Sequence, residues 1–278
     1  MRIHIDYRTR YAYALPAHAV VQALRLRPRD HETQHVRSWR IESDVDGRMR
    51  ETTDAFGNSV TMFYVEGAVT ELTLSVSGEV EVSDSAGVVH APEPLSHPVF
   101  LRSTALTTVD GAILDLAREA ARDDHLAALH ALMTGLNARL AFEVSSTDAR
   151  TTAADALAAG RGVCQDFSHI FCAAARSLHI PARYVSGHLA RDGGQVQDAG
   201  HAWTEAYVPD LGWVAFDPAN GICATDAYVR VAVGLDYLDA APVRGARRGG
   251  GTETMSVEVH ADKLGEATHG QSQGQSQD

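Results

Sequence analysis

A basic stripe is what this sequence most clearly lacks. Its 24 lysines and arginines face 36 acidic residues, for a net charge of −12, which argues against the cationic footprint of a nucleic-acid-binding protein. Lysine itself is nearly missing: Lys263 is the only one, so the positive charge is arginine. Cysteine is scarce too. Cys164, Cys172 and Cys223 are the three present, too few and too scattered for a disulfide framework. The first two share one predicted helix, about 12 Å apart at 1.5 Å rise per residue, beyond disulfide reach. No C-x-x-C spacing occurs, so no thiolate zinc site is expected. No apolar run is long enough to span a bilayer, and Met1-Arg2-Ile3-His4-Ile5 alternates as a strand rather than as a signal peptide. The expectation is a cytoplasmic chain with no membrane or nucleic-acid partner. At 278 residues, 45% hydrophobic and 22% charged, it can bury a full core in one large or two modest domains.

What is present divides at a proline-rich connector, Ala91-Pro92-Glu93-Pro94 and His97-Pro98. Before it the pattern is β. Ile3, Ile5 and Tyr7 alternate with polar residues; Ser59 to Val65 and Glu71 to Val82 read as two strands, the second with Leu72, Leu74, Val76, Val80 and Val82 on one face. Turn signals fall at Asp46-Gly47, Phe56-Gly57-Asn58 and Ser77-Gly78. Short strands with no helix between them predict a small all-β sandwich or barrel over residues 1–92. His4, His18, His31 and His35 read as surface side chains.

After the connector, helices are expected over 110–123, 125–140 and 152–159, then strands at 182–189, 201–208, 213–217, 228–233 and 255–259. A polar loop is read at 192–195. Residues 261–278 read as a disordered polar tail. His125 and His130 sit in an alanine-leucine background and read as structural.

The stretch with chemistry in it runs from Gly160 to Leu178. Glycines flank Arg161, then Phe167, Phe171, Ala174, Ala175 and Leu178 repeat at helical spacing. Cys164 thus falls in the first turn of a buried helix. Unpaired N–H groups and the helix dipole there favour a thiolate, and the same N–H groups can receive an oxyanion. The competing reading is a small buried hydrophobe. A thiol nucleophile needs a base, and the base an orienter. His201 opens one predicted strand and Asp217 closes its neighbour. Residues 201, 203, 205 and 207 share one face, as do 213, 215 and 217. If Tyr207 pairs with Trp213, Asp217 lands opposite Trp203, diagonal to His201. Pairing Val208 with Trp213 instead would put the two on opposite faces.

Gly162-Val163-Cys164-Gln165-Asp166-Phe167, Ala182-Arg183-Tyr184-Val185-Ser186-Gly187, Gly200-His201-Ala202-Trp203 and Gly212-Trp213-Val214-Ala215-Phe216-Asp217-Pro218 together resemble the core of the transglutaminase-like superfamily, in its bacterial members. The resemblance extends to Leu24-Arg25-Leu26-Arg27-Pro28-Arg29, Asp54-Ala55-Phe56-Gly57-Asn58, Val231-Ala232-Val233-Gly234 and Asp236-Tyr237. It implies an α+β fold, a papain-like core with helices and an antiparallel sheet, over 93–260 with closing C-terminal strands. By the same resemblance Cys164 is the nucleophile, His201 the general base and Asp217 its orienter. The implied reaction is cysteine-dependent cleavage of a peptide or protein amide through a thioester, hydrolysis or transamidation, with no cofactor. Gln165, Trp203 and His188 are the candidates for substrate or oxyanion contact. Gln165 reads equally as helix surface, His188 as an exposed side chain, and Trp203 and Trp213 as core. Related sequences often carry an aromatic in place of His188 and a histidine in place of Tyr228. No acidic cluster resembles a calcium site. A silent binding protein, or a metal held by Cys164, His188 and His201, are the alternatives; the latter lacks a ligand pattern.

Overall fold

The computed structural model describes residues 1–191, 197 and 199–264. In chain order the strands are β1 (Arg2–Leu24), β2 (Gln34–Ser43), β3 (Arg48–Thr53), β4 (Ser59–Val82) and β5 (Val88–Val89). The helical half follows with α1 (Gly111–Ala120), α2 (His125–Arg139), β6 (Ala141–Phe142), α3 (Ala153–Ala159), β7 (Arg161–Gly162) and α4 (Cys164–Ser177). Then come β8 (Ala182–Leu189), β9 (His201–Val208), β10 (Gly212–Asp217), β11 (Ile222–Cys223), β12 (Tyr228–Gly234), α5 (Tyr237–Ala240), β13 (Val243–Gly249) and β14 (Glu253–Leu264).

Two long antiparallel strands, β1 and β4, form the spine of the first sheet. Each is flanked by two shorter strands end to end: β14 and β13 on β1, β2 and β3 on β4. The buried face of β1 shows how one strand spans both halves. Ile3, Ile5, Tyr7, Thr9, Tyr11 and Tyr13 are buried, then Ala17, Val20, Gln22 and Leu24. The parity switches across the register shifts between Ala12 and Ala19, as a bulge requires. The two strands read at 59–65 and 71–82 are therefore one. Ser77-Gly78, read as a turn, lies within β4: a Cβ on Gly78 would come 2.3 Å from the Trp39 ring, so the glycine marks a close approach, not a reversal.

The sequence reading placed the C-terminal strands in the second half of the chain. Both β13 and β14 instead pair with β1, and β14 runs through Leu264, past the expected start of the tail at 261. The rest of that tail, and the loop read at 192–195, lie outside the described residues.

The core sheet has the order β11-β10-β9-β8-β12, with β5 also on β10. One face carries Ala182, Ala206, Val208, Val214 and Phe216, packed against α1, α2 and α4 through Leu116, Leu132, Phe167 and Phe171. The other face carries Val185, Trp203, Ala215 and Val229, which share one cluster with Ile3, Leu24, Leu72 and Val80 of the first sheet. The core sheet is thus a middle layer between helices and the N-terminal sheet. Asp110, Asp124 and Thr152 cap α1, α2 and α3 with their side chains, matching the expected helix starts.

β12 is an edge strand, and two side-chain amides seal it. Gln34 accepts from Arg230 N at 2.8 Å and donates to Arg230 O at 2.9 Å. Asn58 accepts from Val233 N at 2.8 Å and donates to Val233 O at 2.7 Å. These carboxamides stand where a neighbouring backbone would, which removes an exposed pairing edge. Below them Arg183 and Glu205, both with no solvent exposure, pair at 2.6 Å, joined by Arg230 and by Glu93 from the proline-rich connector. His31, expected at the surface, is partly buried here; burial, then Arg230, lowers its pKa to about 4. No helix among the described residues is long and apolar enough to cross a membrane.

Candidate active site

Cys164 is the first residue of α4, and its position is fixed from both sides. The two-residue strands β6 and β7 pair in parallel just upstream, with Glu143 N donating to Gly162 O at 3.0 Å. Asp166 then reaches back: its Oδ2 accepts from Val163 N at 2.8 Å and from Thr147 Oγ1 at 2.6 Å. A Cβ on Gly162 would fall 2.7 Å from that carboxylate, so the glycine before the cysteine is a spatial requirement. Asp166 stabilises the first helical turn by this capping contact. Burial raises its pKa, with the hydrogen bonds opposing. Cys164 itself is half-buried, packed beside Tyr184, Ala202 and Tyr237. As the first helical residue its N–H has no acceptor within the helix.

His201 and Asp217 come from the adjacent strands β9 and β10. The register pairs Tyr207 with Trp213 and Phe216 with Thr204, the arrangement that brings residues 201 and 217 to one face. His201 Nε2 lies 2.6 Å from Asp217 Oδ2. Cys164 lies near enough to the ring to favour its cation. With Nε2 held by the carboxylate, Nδ1 is the nitrogen left for the thiol. Burial is the largest influence on His201 and disfavours its cation, yet Asp217 and Cys164 together outweigh it and raise the pKa to about 10. Asp217 is fully buried; burial opposes its charge, but His201, Asn220 and Tyr228 hold it below the usual carboxylate range.

The sequence reading did not name those last two partners. Asn220 Nδ2 donates to Asp217 Oδ2 at 2.6 Å, and the Tyr228 hydroxyl donates at 2.8 Å. Asp217 Oδ1 accepts from the backbone of Ala219 and Asn220 at 3.0 and 3.1 Å. Burial and the Asp217 charge both push the Tyr228 phenol upward, so it stays a donor. From α2, Asn137 donates to the carbonyls of Pro218 and Ala219 at 3.0 and 2.9 Å and fixes the turn. The signal for Asn220 was the Asp217-Pro218-Ala219-Asn220-Gly221 sequence, a turn with an Asx residue facing its own start.

The remaining candidates disperse. Gln165 is half-buried and points its amide at the Asp148 carbonyl, 3.4 Å away. Trp203 is 2% exposed, stacked beside His201 at 6.1 Å and edge-on to Tyr228 at 5.3 Å; it walls the imidazole from within the core. Trp213 lies elsewhere, 3.8 Å beneath the Arg183 guanidinium. His188, read as substrate-facing or exposed, is neither. It is 5% exposed, its ring sits edge-on to Tyr7 of the first sheet, and burial lowers its pKa to about 4. Tyr7 of β1, which covers it, could not be assigned to this strand from sequence. Cys172 is fully buried and pushed to about 11, while burial also raises Cys223. His130 packs edge-on to Phe216 at 5.4 Å, the structural role expected.

Comparison with known proteins places this arrangement. The transglutaminase-like superfamily model matches residues 115–218, the span from α1 through Cys164 and His201 to Asp217. The bacterial transglutaminase-like N-terminal region matches residues 3–81, β1 to β4. The chain belongs to the transglutaminase-like superfamily. Among its relatives, the uncharacterised protein ML0607 of Mycobacterium leprae is 33% identical, over 95% of this chain and 99% of the relative. The uncharacterised protein Rv2569c of Mycobacterium tuberculosis is 29% identical, over 88% and 87%. Among solved structures, a Cytophaga hutchinsonii protein provisionally described as a cysteine protease superposes with a TM-score of 0.79 at 20% identity, covering 96% of this chain and 92% of that one. The transglutaminase-like fold, with its helices, antiparallel sheet and strand-rich N-terminal region, is the fold of thiol enzymes of the cysteine-protease and transglutaminase type.

Proposed function

We propose that the protein hydrolyses an amide bond of a peptide or protein with Cys164 as nucleophile, His201 as acid and base, and Asp217 as its orienter. The observation that carries this reading is the buried His201–Asp217 pair, 2.6 Å apart, with Cys164 near enough to favour the imidazole cation. Triads of this kind are recognised by geometry and roles.

Cys164 Sγ–H passes its proton to His201 Nδ1, and the thiolate attacks the amide carbonyl carbon. The Cys164 backbone N–H, free of the helix ladder, donates to the developing oxyanion. The C–N bond then breaks, His201 returns its proton to the leaving nitrogen, and a thioester remains. Water, deprotonated by His201, attacks the thioester and releases a carboxylate and the thiol. Asp217 keeps the imidazolium oriented throughout, and Asn220 and Tyr228 keep Asp217 ionised. The relative described as a cysteine protease supports hydrolysis over amine transfer.

Incubation with glutamine-containing peptides, with and without a primary amine, tests the reading by mass spectrometry. Peptide cleavage or deamidation, unaffected by the amine and lost in Cys164→Ala, is the expected result. Amine incorporation would replace hydrolysis with transamidation, and turnover by Cys164→Ala would remove the mechanism.

A further inference from the structure

The turn after Asp217 is held from two opposite sides, and the second side belongs to helix α2. Asp217 Oδ1 accepts from Ala219 N at 3.0 Å and from Asn220 N at 3.1 Å. The carbonyls of those same two peptide groups, Pro218 O and Ala219 O, accept from Asn137 Nδ2 at 3.0 and 2.9 Å. Each peptide therefore lies between an amide that donates to its oxygen and a carboxylate that accepts from its N–H. An asparagine amide has two N–H donors, and two carbonyls receive them here.

Asn137 is an exposed residue in the last turn of α2, where water could take both donors. It bonds the turn instead. Leu132, Met133 and Leu136, just before it, share one core cluster with Phe216, the residue that precedes Asp217. The asparagine is thus anchored to the same core as the strand it steadies. Gly221 leaves it room: a Cβ there would sit 3.1 Å from Asn137 Cγ, and its φ of +68° favours glycine in any case. Gly221 N closes the turn on Asp217 O at 2.8 Å.

Hydrogen bonds in a chain polarise one another, by roughly 10–30% per bond. A carbonyl that accepts from Asn137 makes the N–H of its own peptide a better donor to the carboxylate beyond it. Two such relays converge on Oδ1. The titratable groups bonded to the carboxylate, His201 of β9 and Tyr228 of β12, both meet Oδ2, so the two oxygens are served separately.

We propose that Asn137 is a positioning residue for Asp217: through the Pro218–Ala219 and Ala219–Asn220 peptide groups it fixes and polarises the two backbone donors that hold the carboxylate against His201. It rests on the hydrolase reading only in taking Asp217 as the orienter of a catalytic base; the relay itself belongs to the resting chain.

The Asp217 carboxyl carbon signal, followed against pH by NMR in the full chain together with the amide proton shifts of Ala219 and Asn220, tests this directly. Asn137→Leu keeps much of the volume and removes both donors, and Asn137→Ala removes the side chain beyond Cβ. Both replace an exposed residue, and circular dichroism marks the folded pH range of each. In both variants the Asp217 midpoint is expected to rise by about half a pH unit, what a weakening of that size in two charge-assisted bonds is worth. Both amide protons are expected to move upfield with it. An unchanged midpoint would overturn the proposal, whether or not the amide shifts move, since loss of a turn anchor alone moves only those. A midpoint that rose while both amides stayed would put the effect outside the two peptides and overturn it as well. No substrate enters the measurement, so a chain that cleaves no peptide removes the hydrolase reading and leaves this result intact.

Discussion

Two buried histidines stand on neighbouring strands of the core sheet and are driven in opposite directions. His201 on β9 is 8% exposed and His188 on β8 is 5% exposed, and Gly187, next to His188, pairs with His201. Burial disfavours the cation at both. At His188 nothing opposes it: Nδ1 has no hydrogen-bond partner among the described residues, and the pKa falls to about 4. At His201 a buried carboxylate and a thiol oppose it, and the pKa rises to about 10. The lesson is that depth in the sheet does not make a base. The partner does, and Asp217 is a strong partner because its own three side-chain donors keep it ionised.

Removing the members of this comparison should separate them by size of effect. His201→Ala is expected to lower peptide turnover by about four orders of magnitude or more, as loss of a triad base does, with the circular dichroism spectrum unchanged. Asp217→Asn should cost about 10³–10⁴-fold in turnover, since the imidazole keeps its place but loses the charge that stabilises its cation. Its pH profile should move with it, because the histidine pKa must fall. Tyr228→Phe removes one of the donors to Asp217, and a loss of roughly tenfold or less is expected, with the acidic limb of the kcat profile displaced. An unchanged profile would mean that the phenol only fills space.

His188→Phe should leave turnover within a few-fold and act on stability instead. The unfolded chain titrates histidine near 6.5. Because folded His188 is lowered to about 4, the unfolded state binds more protons between those values, and stability falls as pH drops through that window. His169, lowered to about 3 by burial and then Arg176, acts the same way. Replacing His188 should therefore flatten the acid limb by something on the order of 3 kcal/mol, read by urea denaturation at pH 7 and pH 4.5. His201 has the opposite sign: raised to about 10, it supports the fold below pH 6.5 and loses that support as pH rises toward 10.

The asymmetry between the histidines was half legible in the sequence. Strand alternation put His201 and Asp217 on one face once Tyr207 and Trp213 were paired, because that parity depends only on local spacing. The cysteine's place at a helix start was legible for the same reason. His188 was not, because its cover is Tyr7, a residue from the other end of the chain brought in by sheet packing. The same limit hid the destination of β13 and β14, whose pairing with β1 spans most of the chain. The gap read between Val65 and Glu71 lies inside one long strand, β4. Gln34 and Asn58 gave no signal of this role: a carboxamide standing in for a strand leaves no periodicity.

The central claim is that His201, and not its buried neighbour, activates Cys164. The most direct measurement is the rate of Cys164 alkylation by iodoacetamide against pH, read by peptide mass spectrometry, in the parent chain, His201→Ala and His188→Phe. Cys172 and Cys223 serve as internal references, both held as thiols by burial. The account predicts fast alkylation well below the free-cysteine value of about 8.5 in the parent and in His188→Phe, and its loss in His201→Ala. A rate that rises only near 8.5, and equally in all three, would contradict it.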